Sequence, residues 1–194
     1  MERILSNPAI PCDVSHLNSW AIQATVEDCL ATSGREDIKY DWRQCLQTLP
    51  PKLHKMPVKT TSISLSTQGN ADTRDITDQV ARSILQSGLK DGTVTIFCPS
   101  STSALTTIEY ESGVVSDLRR LFDEIVASNR EYAHNERWHD GNGHSHVRAA
   151  LLGPSLTIPF VDGQLTLGTW QQIIYVDFDN RPRQRKLVVQ LIGE

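Results

Sequence analysis

Four of the six histidines, His134, His139, His144 and His146, fall within thirteen positions, interleaved with Asp140, Gly141, Asn142 and Gly143. A structural histidine is usually solitary, so several imidazoles in a glycine-punctuated loop point to a metal site or to acid–base chemistry. His144 and His146 stand two apart, a spacing that faces one way on a strand. A short helix is predicted to begin at the same place, with Ser145 as its cap, Val147, Ala150 and Leu151 inside, and Gly153 and Pro154 as its stop. His139, beside Trp138, reads as loop surface. A third ligand has to come from elsewhere, and Glu109, after the apolar Ile108, is a candidate alongside its reading as a solvated residue with Glu111.

Two further groups suit phosphate or another oxyanion. Ser100, Ser101, Thr102 and Ser103 place hydroxyls and amides at the end of the apolar run TVTIFC, without the glycines of a phosphate-binding loop. Arg181, Arg183 and Arg185 alternate near the end of the chain, and guanidinium groups pair with phosphate oxygens bidentately. A solvated basic hairpin tip accounts for the same residues.

The elements that must carry these groups follow from periodicity. Alternation through Val58, Ile63 and Leu65 predicts a strand. Ile76, Val80, Ile84, Leu85 and Leu89 recur at helical spacing behind Asp75 or Thr77 as cap and before Gly88 or Gly92 as stop. Thr93 to Cys98 reads as a buried strand that Pro99 closes, and Val115, Leu118, Leu121, Phe122, Ile125 and Val126 as a second helix. From Leu156 onward strands are predicted: a turn at Val161 to Gly163, a long strand over Gln171 to Phe178, a loop over Asp179 to Arg183 and a closing strand over Lys186 to Ile192. Short connections between strands make them antiparallel, so the fold class is α+β, mostly antiparallel sheets with two main helices packed on them.

Residues 1–55 differ in texture, holding three of the four cysteines and ending in Leu49, Pro50 and Pro51. Two amphipathic helices are expected there, behind Ser19 and behind Asp37, forming a helical extension of unknown role before a domain over 56–194. A partner-binding arm is the functional alternative. At 194 residues and a formal charge of −4, the chain has no general attraction for nucleic acid or anionic membrane, and no apolar run approaches a span. The cysteines, without CxxC pairing or a secretory signal, are expected to be free thiols in the cytoplasm.

The runs TTIEYESGVVSDL (106–118), EYAH ending at His134, DGNGHSHVRAALLGPSLTIPF (140–160), GTWQQI (168–173) and DNRPRQRKLVVQLIGE (179–194) together resemble the YjbQ family, also described as secondary thiamine-phosphate synthases. The resemblance covers about residues 56–194. It implies a small homotrimeric α+β protein with a histidine pocket near subunit contacts. His134 and His146 match family histidines, Glu109 and Asp117 family acids, and Trp170 and Gln171 the GTWQ pair. His144 stands as a substitute ligand, because Ser100 and Ser101 occupy positions where many members have histidine and threonine. Ile108 stands where many have asparagine.

The implied reaction joins a pyrimidine pyrophosphate to a thiazole phosphate, releasing pyrophosphate. It calls for a divalent ion, zinc or a similar metal by the imidazole donors or magnesium by the chemistry, held by His134, His144 and His146. Glu109, Asp117, Arg183 and Arg185 are the catalytic candidates, and Ser100, Ser101, Asn142, Trp170 and Gln171 the substrate-binding ones. Two alternatives stand beside it. One is a metal-dependent hydrolase of a small phosphorylated or acylated metabolite, with Glu109 or Asp117 as general base. The other is a non-catalytic metal- or ligand-binding trimer.

Overall fold

The structure, a computed structural model, describes residues 56–194. The helices expected in residues 1–55 lie outside the described residues. Eight strands and four helices follow one another as β1 (Val58–Thr67), β2 (Asp72–Asp75), α1 (Thr77–Ser87), β3 (Gly92–Phe97), β4 (Ser103–Ile108), α2 (Ser112–Ile125), α3 (Ala133–Trp138), α4 (Gly143–Leu152), β5 (Ser155–Val161), β6 (Gln164–Leu165), β7 (Gln172–Asp177) and β8 (Arg183–Gly193). The α+β class is as expected, with every strand pair antiparallel.

The strands form two sheets, one of five in the order β1-β8-β3-β5-β6 and one of three in the order β2-β7-β4. Between them lies the larger core. Ile63, Val94, Ile96, Ile158, Phe160, Leu187, Val189 and Leu191 from the five-stranded sheet meet Leu105, Ile173 and Tyr175 from the other, with Ile76, Val80 and Ile84 at and along α1. The far face of the small sheet is covered by helices, where Ala104, Ile174, Val176 and Phe178 pack with Phe122 of α2 and Ala149 of α4. The Phe122 and Phe178 rings meet edge to face at 4.8 Å.

β7 therefore sits in the middle of three layers. Successive side chains on a strand point to opposite faces, so Ile173 and Tyr175 enter one core and Ile174 and Val176 the other. This explains the unbroken apolar run that the sequence shows there. β8 instead alternates: Leu187, Val189 and Leu191 are buried while Gln190 and Ile192 are exposed.

α1 begins where Asp75 accepts hydrogen bonds from the Thr77 amide (2.9 Å) and hydroxyl (2.6 Å). It ends at Gly88 with φ of 74°, a conformation glycine adopts without Cβ strain. α2 begins at Glu111, whose carboxylate accepts from the amides of Gly113 and Val114. β4, absent from the expectations above, covers Ser103 to Ile108 and begins fully buried with Ser103, Ala104 and Leu105. Its small and hydroxylated residues carry no apolar alternation.

Ile173→Ala and Ile174→Ala delete adjacent side chains from different cores, and each is expected to cost about 2–5 kcal/mol. Urea unfolding of the two variants checks this. A cost near zero for either would mean that β7 is not buried on both faces.

Candidate functional site

The odd positions of β8 continue inward beyond the apolar core. Arg183 and Arg185 have the parity of Leu187, Val189 and Leu191, and β7 and its exit loop answer with Asp177 and Asp179, which have the parity of Ile173 and Tyr175. The sandwich thus changes from apolar to charged within one turn of pleat. Asp177 and Asp179 are 0% and 1% exposed, so neither carboxylate is solvated by bulk water.

Arg185 answers both. Its Nε and Nη2 donate to the two carboxylate oxygens of Asp177 at 2.7 Å each, a bidentate pair. Nη2 also reaches Asp179 at 3.3 Å and the Thr102 hydroxyl at 3.0 Å, while Nη1 donates to Ser100 at 3.0 Å. Thr67 and Thr102 donate to the carboxylates of Asp177 (2.5 Å) and Asp179 (3.0 Å). Arg183 donates through Nε to Asp179 at 2.9 Å, and its side chain is 33% exposed against 14% for Arg185. Burial works against the Asp179 anion, but the bonds from Arg183 and Thr102 and the charges of both arginines outweigh it and hold its carboxyl below the ordinary range. Burial also opposes the Arg185 cation, and the bond and charge of Asp177 more than offset it.

The histidine loop is fastened to the same place. Ser145 donates to the Phe178 carbonyl at 2.5 Å, Asn142 accepts from the Asn180 amide at 3.2 Å, and the Asn180 side chain donates to the Asp140 carbonyl at 2.7 Å. Gly143 is needed where α4 starts: a Cβ there would stand 2.5 Å from that of Tyr132, and its amide donates to Asn135 of α3 at 2.8 Å. α4 begins at Gly143, with Asn142 rather than Ser145 in the capping position, and this start turns Val147, Ala150 and Leu151 outward while Ser145, Arg148 and Ala149 face in.

That start decides where the imidazoles go. Helical residues two apart are rotated by roughly 200°, so His144 and His146 leave α4 in opposite directions. His144 is 4% exposed, with Nε2 at 3.3 Å from the Ser145 hydroxyl and Nδ1 without a partner. Burial, reinforced by Arg148, lowers its pKa. His146 lies outward, its ring 4.4 Å from that of His134, whose Nε2 is 3.3 Å from Asp140. The bond from the Asn142 amide, with that to His134, lowers the pKa of the exposed Asp140. His139 is the exposed left-handed residue ending α3, as its reading as loop surface anticipated.

Residues 61–194 match the sequence profile of a family described as UPF0047 protein YjbQ-like. The chain belongs to that family. A UPF0047 protein of Methanothermobacter thermautotrophicus is 37% identical over 139 residues, 72% of this chain and 95% of that one, and the UPF0047 protein YugU of Bacillus subtilis is 30% identical, covering 67% and 98%. Among solved structures, a YbjQ-like protein of unknown function from Sulfolobus solfataricus has a TM-score of 0.68 at 35% identity, over 72% of this chain and 99% of that one. A YjbQ/UPF0047 protein of Clostridium acetobutylicum gives 0.63 at 34% identity, over 68% and 99%.

The site candidates read from the residues and from the family resemblance separate into two groups. Ser100, Asn142, Arg183, Arg185 and the three histidines gather around loop 178–182, with Ser101 exposed beside Ser100. Glu109, Trp170 and Gln171 stand at the other end of the small sheet, where Ile108 pairs with Gln172, about 20 Å away by strand rise. Gln171 spends its amide on Thr107 and Gly168, and Trp170 is 72% exposed. Asp117 does not open α2; it lies on its exposed face, paired with Arg120 at 2.7 Å.

As one metal centre, His134, His144 and His146 do not fit within a single chain. His144 turns into the protein, and no group of three or more His, Cys, Asp and Glu side chains at ligand spacing occurs among the described residues. Asp177 and Asp179, which the sequence reading passed over, had a signal of their own. Two alternating acids, Asp177 and Asp179, and three alternating arginines, Arg181, Arg183 and Arg185, in DFDNRPRQR carry the period of two facing strands.

Asp177→Ala strands the Arg185 guanidinium and is expected to cost about 3–5 kcal/mol, whereas Asp177→Leu with Arg185→Met recovers most of that loss. Urea denaturation of the three variants reads the difference. A lowered histidine pKa favours the folded state above the unfolded pKa near 6.5, and a lowered carboxyl pKa favours it above about 3.9. The melting temperature is thus expected to fall in two steps on acidification, first below pH ~6.5 from His144 and again below pH ~3.9 from Asp179. His144→Asn removes the upper step alone; an unchanged upper step would assign it to another group.

Proposed function

We propose that the chain is a transferase of small phosphorylated metabolites, acting as a secondary thiamine-phosphate synthase does, with its site at loop 178–182. The observation that carries this reading is Arg183. Arg185 is spent on Asp177, Asp179, Ser100 and Thr102, but Arg183 is bonded only through Nε among the described residues and is one-third exposed. Its two terminal nitrogens are therefore available to an oxyanion, with the planar fork that suits phosphate. Asp179 fixes the guanidinium while carrying little of its donor capacity.

In this reaction the ring nitrogen of the thiazole phosphate attacks the methylene carbon that bears the pyrophosphate. A C–N bond forms, the C–O bond breaks, and its electron pair leaves with pyrophosphate. No proton must move, so stabilising the departing anion is the main demand on the protein. Arg183 meets it by hydrogen bonding, and the imidazole of His134, steadied by Asp140, is a further donor on the loop fastened to 178–182. A hydrolase using Glu109 or Asp117 as base is less well supported, because both lie away from the imidazoles in one chain. The base would have to come wholly from a neighbouring copy, whereas Arg183 stands at the end of the loop itself. A non-catalytic ligand-binding protein differs by showing no turnover.

The proposal includes a homotrimer in the cytosol, without nucleic-acid or membrane partners. Among the described residues no helix is long and apolar enough to cross a membrane, and Cys98 is a free, buried thiol. The trimer is supported by α2, where only Phe122 is fully buried, while Val114, Leu118 and Leu121 with Ile108 line an open groove of about 380 Å³. Leu121 and Ile125 are each 48% exposed, a large apolar face for a helix of a lone subunit. A neighbouring copy could also present Glu109, Trp170 and Gln171 to the site. A zinc-like ion would have His134 and His146 as its donors from this chain, with the remainder from outside it; no step above depends on the ion.

Complementation of a thiamine-auxotrophic host and direct assay of thiamine phosphate formation test the reaction. Wild type is expected to rescue, with Arg183→Met and His146→Ala each lowering kcat/KM by tenfold or more. Absent turnover, or turnover indifferent to both changes, would overturn the assignment. Light scattering is expected to give about three times the 21.7 kDa chain mass, reduced by Leu121→Lys. In zinc titration after chelator dialysis, the ion is expected to bind wild type and to be lost with His134→Ala and His146→Ala together. Binding that survives this double change would place the ion elsewhere.

A further inference from the structure

We propose that the free edge of β1, together with the polar flank of α1, is a docking groove for an extended acidic peptide segment of a partner protein. β1 is an outermost strand of the five-stranded sheet and pairs only with β8 among the described residues. The pairing runs without interruption through ten positions, from Val58 opposite Ile192 to Thr67 opposite Arg183. In an antiparallel ladder every second residue turns its amide and carbonyl away from the partner. About 30 Å of strand therefore offers unpaired donors and acceptors.

Exposed edges are usually blunted by charge, proline or a bulge. VKTTSISLST carries one charge, Lys59, near its start, and no proline; the register contains no bulge. From Thr60 to Thr67 the edge has none of those protections.

A helix flanks this edge. Ile76, Val80 and Ile84 turn α1 into the core, and the stripe Gln79, Arg82, Ser83 and Gln86, spaced i, i+3, i+4 and i+7, lies against Thr61, Ser62, Ile63 and Ser64. Strand and helix enclose a groove of about 210 Å³. An extended peptide can add to a strand edge through its main chain, while its alternate side chains meet the flanking element and set specificity. The lining consists of hydroxyls, amides, one isoleucine and one cation, and holds no carboxylate. Arg82 is exposed and has no ion-pair partner among the described residues. The complement of that lining is a peptide with small or polar side chains and an acidic residue opposite Arg82.

The test uses the full chain and two fluorescent ten-residue Ser/Thr/Val peptides that differ only in a central Glu or Lys. Anisotropy is expected to show the Glu peptide binding at least tenfold more tightly, and Arg82→Glu to reverse the preference. Thr61→Pro and Ser62→Pro probe the edge itself: the one whose amide points outward is expected to abolish binding while the melting temperature stays near wild type. Hydrogen exchange is expected to show new protection on alternate amides of β1. Equal binding of the two peptides, no binding of either, or indifference to Arg82→Glu would overturn the proposal. Concentration-dependent self-association removed by the edge proline would overturn it too, assigning the edge to a second copy of the chain.

Discussion

The bidentate pair between Arg185 and Asp177 closes the charged end of the sandwich, where apolar contact between the two sheets gives out. Two sheets that meet through hydrocarbon along most of their length end in four charges, and the closure works because the two carboxylate oxygens of Asp177 face two different nitrogens of Arg185. Ser100, Thr102 and Thr67 complete the enclosure from three other strands or strand ends. Replacing both charges by hydrocarbon would be no great loss to stability, since buried pairs return little beyond their desolvation. What the charges provide is a fixed direction for the chain as it leaves β7, and the histidine loop is fastened to that exit through Phe178 and Asn180.

Much of the architecture was readable because it is local. Ile76, Val80 and Ile84 at helical spacing with Gly88 behind them define α1 from neighbouring residues alone, and Gln171 to Phe178 read as a buried strand because all of its side chains point into one core or the other. β4 escaped notice because Ser103, Ala104 and the threonines after it are buried without being strongly apolar. β8 was expected to begin at Lys186 and begins at Arg183, since the two arginines looked like solvent-facing residues until their acids came into view.

The candidate site was readable in its ingredients and not in its grouping. Histidine, serine and arginine segments do converge, but the HxH spacing parts His144 from His146 once both lie on a helix. The family resemblance gathered Glu109, Trp170 and Gln171 with the histidines although one chain keeps them at opposite ends of a sheet. Resemblance reports which residues serve a common purpose; it does not report whether they do so within one molecule.

The position of β8 has a bearing on how this protein comes into being. The last of the described strands, it lies between β1 and β3, so its pairing with β1 joins residues as much as 134 positions apart, Val58 with Ile192. A growing chain emerging from the ribosome cannot close the sandwich, nor neutralise Asp177, until β8 is out. Until then β7 has its neighbours β2 and β4 but an uncovered inner face. Folding of the described region thus waits for β8, is slow by its non-local pairing and is exposed to aggregation in the interval.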